Sequence, residues 1–178
     1  MKRWLFLLLL SPLLCMAQTY KYLGVEHGLS NRRVYCIQKD KTGYMWFLTN
    51  EGIDRYNGKN FKHYKLMDGE IEVNSLLNLN WLYLDSEDIL WEIGKKGKIF
   101  KYDEAHDEFD LVYKLPIENL SNQPSSISYA WMDQNHLIWL CNEETIFLYD
   151  TATGEVTSVK NEIKEEITDI AQIDTNHY

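Results

Sequence analysis

Asp40-Lys41-Thr42-Gly43-Tyr44-Met45-Trp46 governs how this chain reads, because its outline returns twice more. Asp40 stands six residues before Trp46, Asp85 six before Trp91, and Asp133 six before Trp139. Tyr56 follows Trp46 by ten residues, Tyr102 follows Trp91 by eleven, and Tyr149 follows Trp139 by ten. The Trp-to-Trp periods are 45 and 48 residues. A fixed period of this size marks a repeat architecture, in which each unit buries its apolar faces against its neighbours.

Within each period the pattern predicts four short strands. In the first unit these are Val34–Gln38, Tyr44–Leu48, Ile53–Tyr56 and Phe61–Tyr64. Asn57-Gly58 supplies a hairpin signal, since both residues tolerate positive φ. The second unit gives Leu79–Leu84, Ile89–Ile93, Lys98–Tyr102 and Phe109–Tyr113. The third gives Ile127–Met132, Leu137–Cys141, Thr145–Tyr149 and Val156–Val159. Four strands and one Trp per unit predict an all-β partial β-propeller, with about three four-stranded blades near 34–64, 79–113 and 127–159. Ile167-Thr168-Asp169-Ile170 resembles the opening of a unit, so an incomplete fourth blade is expected from 167. Its Trp would fall at position 180, two past Tyr178, and the length therefore reads as a cut through a longer array. Tyr20–Leu23 is expected to be the strand that completes the last blade of the full ring, and to lack that partner here. The three repeated Trp side chains are read as filling the space between blades, with sugar stacking as the rival reading. The repeated Asp residues are read as Asx-type turn caps.

The composition agrees with this. Of 178 residues, 13% are aromatic and 25% charged, and 27 acids against 18 Lys and Arg give a net charge of −9. That balance argues against binding nucleic acid, whose phosphates require a basic surface. At the front, Lys2-Arg3, the run Trp4–Leu10 and the small residue Ala17 read as a signal peptide over residues 1–17. The apolar run is shorter than the ~20 residues of a comfortable membrane span. An uncleaved anchor, or a lipoprotein acylated at Cys15, are the alternatives. Export is the expectation. Cys36 and Cys141 would then be the only cysteines left, and two small buried hydrophobes are the commoner reading of such a pair.

His27, His63, His106, His136 and His177 have no metal-binding spacing, so no metal and no cofactor are expected. There is no Gly-x-Ser-x-Gly elbow. The acidic runs 85–88 and 103–108 are read as solvated turns, with calcium binding as the alternative. In propellers, the loops joining the second and third strands share a face with those joining blades. Here that face would carry Arg32, Arg33, Asn50, Glu51, Lys95, Lys96 and Asn142. Arg presents a fork that fits a carboxylate or sulfate, so these residues are candidates for an anionic saccharide. Ordinary surface charge is the plainer explanation.

Gly28-Leu29-Ser30-Asn31, Val34, Ile37 to Asp40, Gly43 to Thr49, Gly52 to Gly58, Phe61 and Tyr64 together resemble the two-component-regulator propeller repeat. Leu48 and Ile53 depart from it, where Gly and Leu are usual. Both are apolar changes at strand positions. The resemblance runs over 18–178, closely in the first unit and only at Asp, Trp and Tyr in the others. It implies the periplasmic sensor of a hybrid two-component protein of gut Bacteroidetes, anchored in the inner membrane, which binds an oligosaccharide and regulates polysaccharide use. It also implies partners: further blades, C-terminal signalling domains including a histidine kinase, and a homodimer. No kinase motif stands in these residues, so this piece is not expected to be an enzyme. The alternatives are a secreted propeller enzyme acting on polysaccharides and an exported protein-interaction module.

Overall fold

The computed structural model describes residues 20–73, 79–116, 126–163 and 165–171, with backbone only at 79 and 80. The leader at 1–17 lies outside the described residues. Three antiparallel four-stranded sheets follow one another along the chain. The first contains β1 (Val34–Lys39), β2 (Met45–Thr49), β3 (Gly52–Tyr56) and β4 (Phe61–Tyr64). A small hairpin, β5 (Met67–Asp68) and β6 (Ile71–Glu72), leads to the second sheet. That sheet contains β7 (Leu79–Leu84), β8 (Leu90–Gly94), β9 (Lys98–Asp103) and β10 (Glu108–Lys114). The third contains β11 (Tyr129–Met132), β12 (Leu137–Cys141), β13 (Thr145–Asp150) and β14 (Val156–Lys160). Each sheet is a meander in which sequential strands pair, and the architecture is a run of propeller blades.

The second strand of each blade is mostly apolar and largely buried because both of its faces are covered. All of β8 is buried, and so is β2 after Met45. Outermost strands meet water, and four of the five β14 residues are exposed. Cross-strand partners share a face, so the register sorts each blade into two sides. Trp46, Arg55 and Lys62 align on one side of the first blade, as do Leu48, Ile53 and Tyr64. Trp46, Leu48, Ile53 and Tyr64 pack in one cluster with Leu82, Leu90, Phe100 and Phe109 of the second blade. The pattern then repeats. Trp91, Ile93 and Ile99 pack with Ala130, Ile138, Leu140 and Tyr149 of the third blade. Trp46 and Trp91 are 2% and 1% exposed, while Trp139, on the corresponding face of the third blade, is half-buried.

Hydrogen bonds stitch the seams. Gln38 Nε2 donates to the Leu82 carbonyl at 2.8 Å, and the Lys41 amide donates to the Asp88 carboxylate at 3.0 Å. Tyr83 Oη donates to the Ala130 carbonyl at 2.7 Å.

Four details differ from the sequence expectations. Ile127 does not begin a strand, because its amide donates to Lys95 O of the previous blade at 2.8 Å, and pairing starts at Tyr129. The β3–β4 connection is a four-residue turn in which only Gly58 has positive φ. Asn57 serves instead through its side chain, whose Oδ1 accepts from the amides of Lys59 and Asn60. Residues 20–24 form no strand. Leu23 joins the apolar cluster of Leu29, Phe47 and Tyr56 on the outer side of the first blade, and Lys21 Nζ donates to Tyr56 Oη. No strand forms over 167–171, and the remainder of the expected fourth unit lies outside the described residues.

Candidate functional site

The Asp-to-Trp spacing has a geometric cause. Asp40 Oδ1 accepts from the Tyr44 amide at 2.9 Å, closing the turn, while Oδ2 accepts from the Trp46 indole at 2.7 Å. Asp85 does the same for Ile89 and Trp91, and Asp133 for Leu137 and Trp139. The residue three after each Asp has positive φ: Gly43 at 95°, Asp88 at 69° and His136 at 64°. The three Asp residues therefore clamp a turn to an indole. Burial works against the Asp40 charge, but the bonds from Thr42, Trp46 and Tyr44 outweigh it and hold this carboxyl below its ordinary range.

The candidate ligand residues sit at the opposite end of the sheets, on the β2–β3, β8–β9 and β12–β13 turns and just before β1. In the first blade this end is built on Asp54, which is 1% exposed. Asp54 Oδ2 accepts from both the amide and the hydroxyl of Ser30 at 2.7 Å, and Oδ1 lies 2.5 Å from His63 Nδ1. Ser30 Oγ lies 2.8 Å from Thr49 Oγ1, which in turn accepts from the Glu51 amide. The Gly28–Ser30 segment is thereby tied to the β2–β3 turn. Asn31 reaches Glu51 at 3.5 Å, its Oδ1 accepts from the Arg33 amide, and Tyr35 Oη donates to Asn50. Asn50 and Glu51 are thus gathered with Asn31–Arg33, and the Arg32 and Arg33 side chains are exposed. Lys95 and Lys96 are exposed on the second blade. Asn142 is 3% exposed, and its Oδ1 caps the β12–β13 turn by accepting from the amides of Glu144 and Thr145.

The other end of the first seam holds a groove of about 330 Å³ lined by Tyr44, Trp46, Arg55, Leu84, Tyr102 and Asp107, among others. Arg55 lies over the rings of Tyr44 and Trp46, at 4.7 and 5.3 Å. It donates to Tyr102 Oη at 2.7 Å and pairs with Asp107 at 3.2 Å. Asp107 also accepts from Tyr64 Oη, Tyr102 Oη and Lys62. Burial opposes the Asp107 charge. The bonds from Lys62, Tyr64 and Tyr102, with Arg55 beside it, nonetheless hold the carboxyl well below its ordinary range. The runs 85–88 and 103–108 are therefore not simply solvated turns, since Asp88 and Asp107 each bridge to the first blade. Among the described residues, no three His, Cys, Asp or Glu side chains converge to hold a metal ion. No described helix is long and apolar enough to cross a membrane. Cys36 and Cys141 are free, and burial pushes the Cys141 thiol up to about 11.

Sequence reasoning overlooked Glu92. It is fully buried, and burial pushes its carboxyl well above the ordinary range. The signal was in the repeat alignment, which sets Glu92 level with Phe47 and Leu140.

A family model matches one stretch of the chain, and solved structures resemble most of it. Residues 28–51 match the family model described as two component regulator propeller. The extracellular domain of a putative hybrid two component system from B. thetaiotaomicron is 28% identical, with a TM-score of 0.58 over 79% of this chain. A second such domain from the same organism is 20% identical, with a TM-score of 0.66 over 86% of this chain. This chain spans 20% of each of those domains. No curated protein matches it. The chain carries a two-component-regulator propeller repeat within a run of blades like those of two-component sensor ectodomains.

Proposed function

We propose that these blades belong to the periplasmic sensor of a hybrid two-component protein, that they follow a cleaved signal peptide, and that they act by binding an oligosaccharide without turning it over. One observation carries the reading: the stretch from Gly28 through the β2–β3 turn, which matches the propeller family model, is held in place by Asp54 of β3, on a chain similar to the extracellular domain of a putative hybrid two component system. The loop end built on Asn31–Arg33, Asn50 and Glu51, with Lys95 and Lys96 on the next blade, would offer cationic and amide donors to a saccharide carboxylate or sulfate. Differential affinity for two arrangements of the sensor would then bias a downstream kinase.

The test is calorimetric titration of the ectodomain with plant, host and microbial glycans, alongside the R32A/R33A and K95A/K96A variants. A glycan that binds the parent protein and loses at least tenfold in affinity in one of these variants supports the reading. An absence of binding across the panel overturns it.

A further inference from the structure

Glu92 is out of place. In β2 and β12 the residue after the repeated Trp is apolar, Phe47 or Leu140, as befits a covered face. Glu92 lies between Leu82 and Phe100 across the strands, on the face that packs against the first blade. It is 0% exposed, and neither carboxyl oxygen has a hydrogen-bond partner. An ionised carboxylate is very costly in such surroundings, whereas the neutral acid costs far less.

No other charge relieves it. Towards this seam β1 presents Cys36 and Gln38, β2 presents Trp46 and Leu48, and β3 and β4 present Arg55, Lys62 and Tyr64. On the second blade, β7 brings Leu82 and Leu84, β9 brings Phe100 and Tyr102, and β10 brings Phe109 and Leu111. Tyr44 packs at the margin of the cluster. The charged members are committed elsewhere: Arg55 and Lys62 pair with Asp107, while Lys98 and Lys114, on the Phe100 face of the second blade, pair with Asp68 of the β5–β6 hairpin. Cys36 gives its thiol bond to Leu82 O, and Tyr64 and Tyr102 donate to Asp107.

We propose that the joint between the first two blades is proton-linked: it closes around a neutral Glu92, and when it opens that carboxyl releases its proton to water. The pH of the surrounding medium then becomes an input to the joint, separate from any ligand. The sign follows from linkage. A group whose affinity for its proton is raised by folding lends full stability below its ordinary range, and that stability drains away as pH rises.

The experiment uses the full chain with E92Q and E92L, the latter matching the residue at the equivalent place in β12. Urea unfolding is followed from mildly acidic to mildly alkaline pH, and infrared spectra are taken at neutral pH. The folding constant of the parent protein should fall relative to either variant, by up to about tenfold per pH unit. A carbonyl band of a protonated carboxylic acid should appear in the parent protein and vanish in E92Q. Parallel pH profiles for the parent protein and E92L, or the absence of that band, would overturn the proposal.

Discussion

Asn is as good a turn cap as Asp, so replacing Asp40 by Asn separates a cap from a clamp. As a cap, Asp40 needs one oxygen, and D40N should be neutral. As a clamp it needs an acceptor at each end, for the Tyr44 amide at one and the Trp46 indole at the other. The amide side chain must turn an NH2 towards one of these donors. The indole is the costlier loss, because Trp46 is 2% exposed and water cannot easily replace the bond. An orphaned buried donor costs about 1–3 kcal/mol, and the turn bond adds about 0.5–1.5 kcal/mol. D40A, which loses both, should therefore cost about 2–4 kcal/mol, and D40N about 1–3 kcal/mol. Urea unfolding, followed by tryptophan emission and by circular dichroism with coincident transitions, measures both. The carboxyl is held below its ordinary range, so its contribution is present above that range and is lost as pH falls through it. The gap between parent protein and D40N should accordingly shrink in acid. D40N within about 0.5 kcal/mol of the parent protein at neutral pH, the scatter of ordinary surface changes, would refute the clamp.

Three other outcomes are expected. Gly52 has φ of 120°, and a Cβ there would sit 2.6 Å from Tyr64 O, so G52A should cost more than about 2 kcal/mol, whereas G58A, with nothing within 4 Å, should cost about 1 kcal/mol in thermal or urea unfolding. His136 holds a left-handed backbone at 64° where the first blade has Gly43, so H136G should stabilise by up to about 1 kcal/mol, and a lowered urea midpoint would contradict this. D107N should lower the melting temperature near neutral pH and flatten the acid limb, because the Asp107 carboxyl is held low and its support is lost as pH falls; an unchanged acid limb would show that the pairing contributes nothing.

The blades were legible because their cause is local. A carboxylate that closes a turn and reaches an indole on the next strand fixes six residues between Asp and Trp, and the sequence displays that interval three times. The end of the sheets that carries the candidate loops was legible from strand order. What holds those loops was not: Ser30 and Asp54 are 24 residues apart and nothing local couples them. Arg55 and Asp107 were equally hidden, since an acidic turn reads alike whether it faces water or a neighbouring blade's guanidinium. Asn142 has the amide character of a ligand residue, yet that same amide caps its own turn. Glu92 could have been caught by reading the repeats in register rather than by searching for motifs.

The faces of a blade are not interchangeable, and this gives the run a direction. In both seams the Trp-bearing side of one blade meets the opposite side of the next, so the blades join head to tail and no two-fold axis relates neighbours. At the first blade, Leu23 and Leu29 already lie against the Phe47 side. Residues 20–30 thus give the Phe47 side an apolar cover drawn from its own chain.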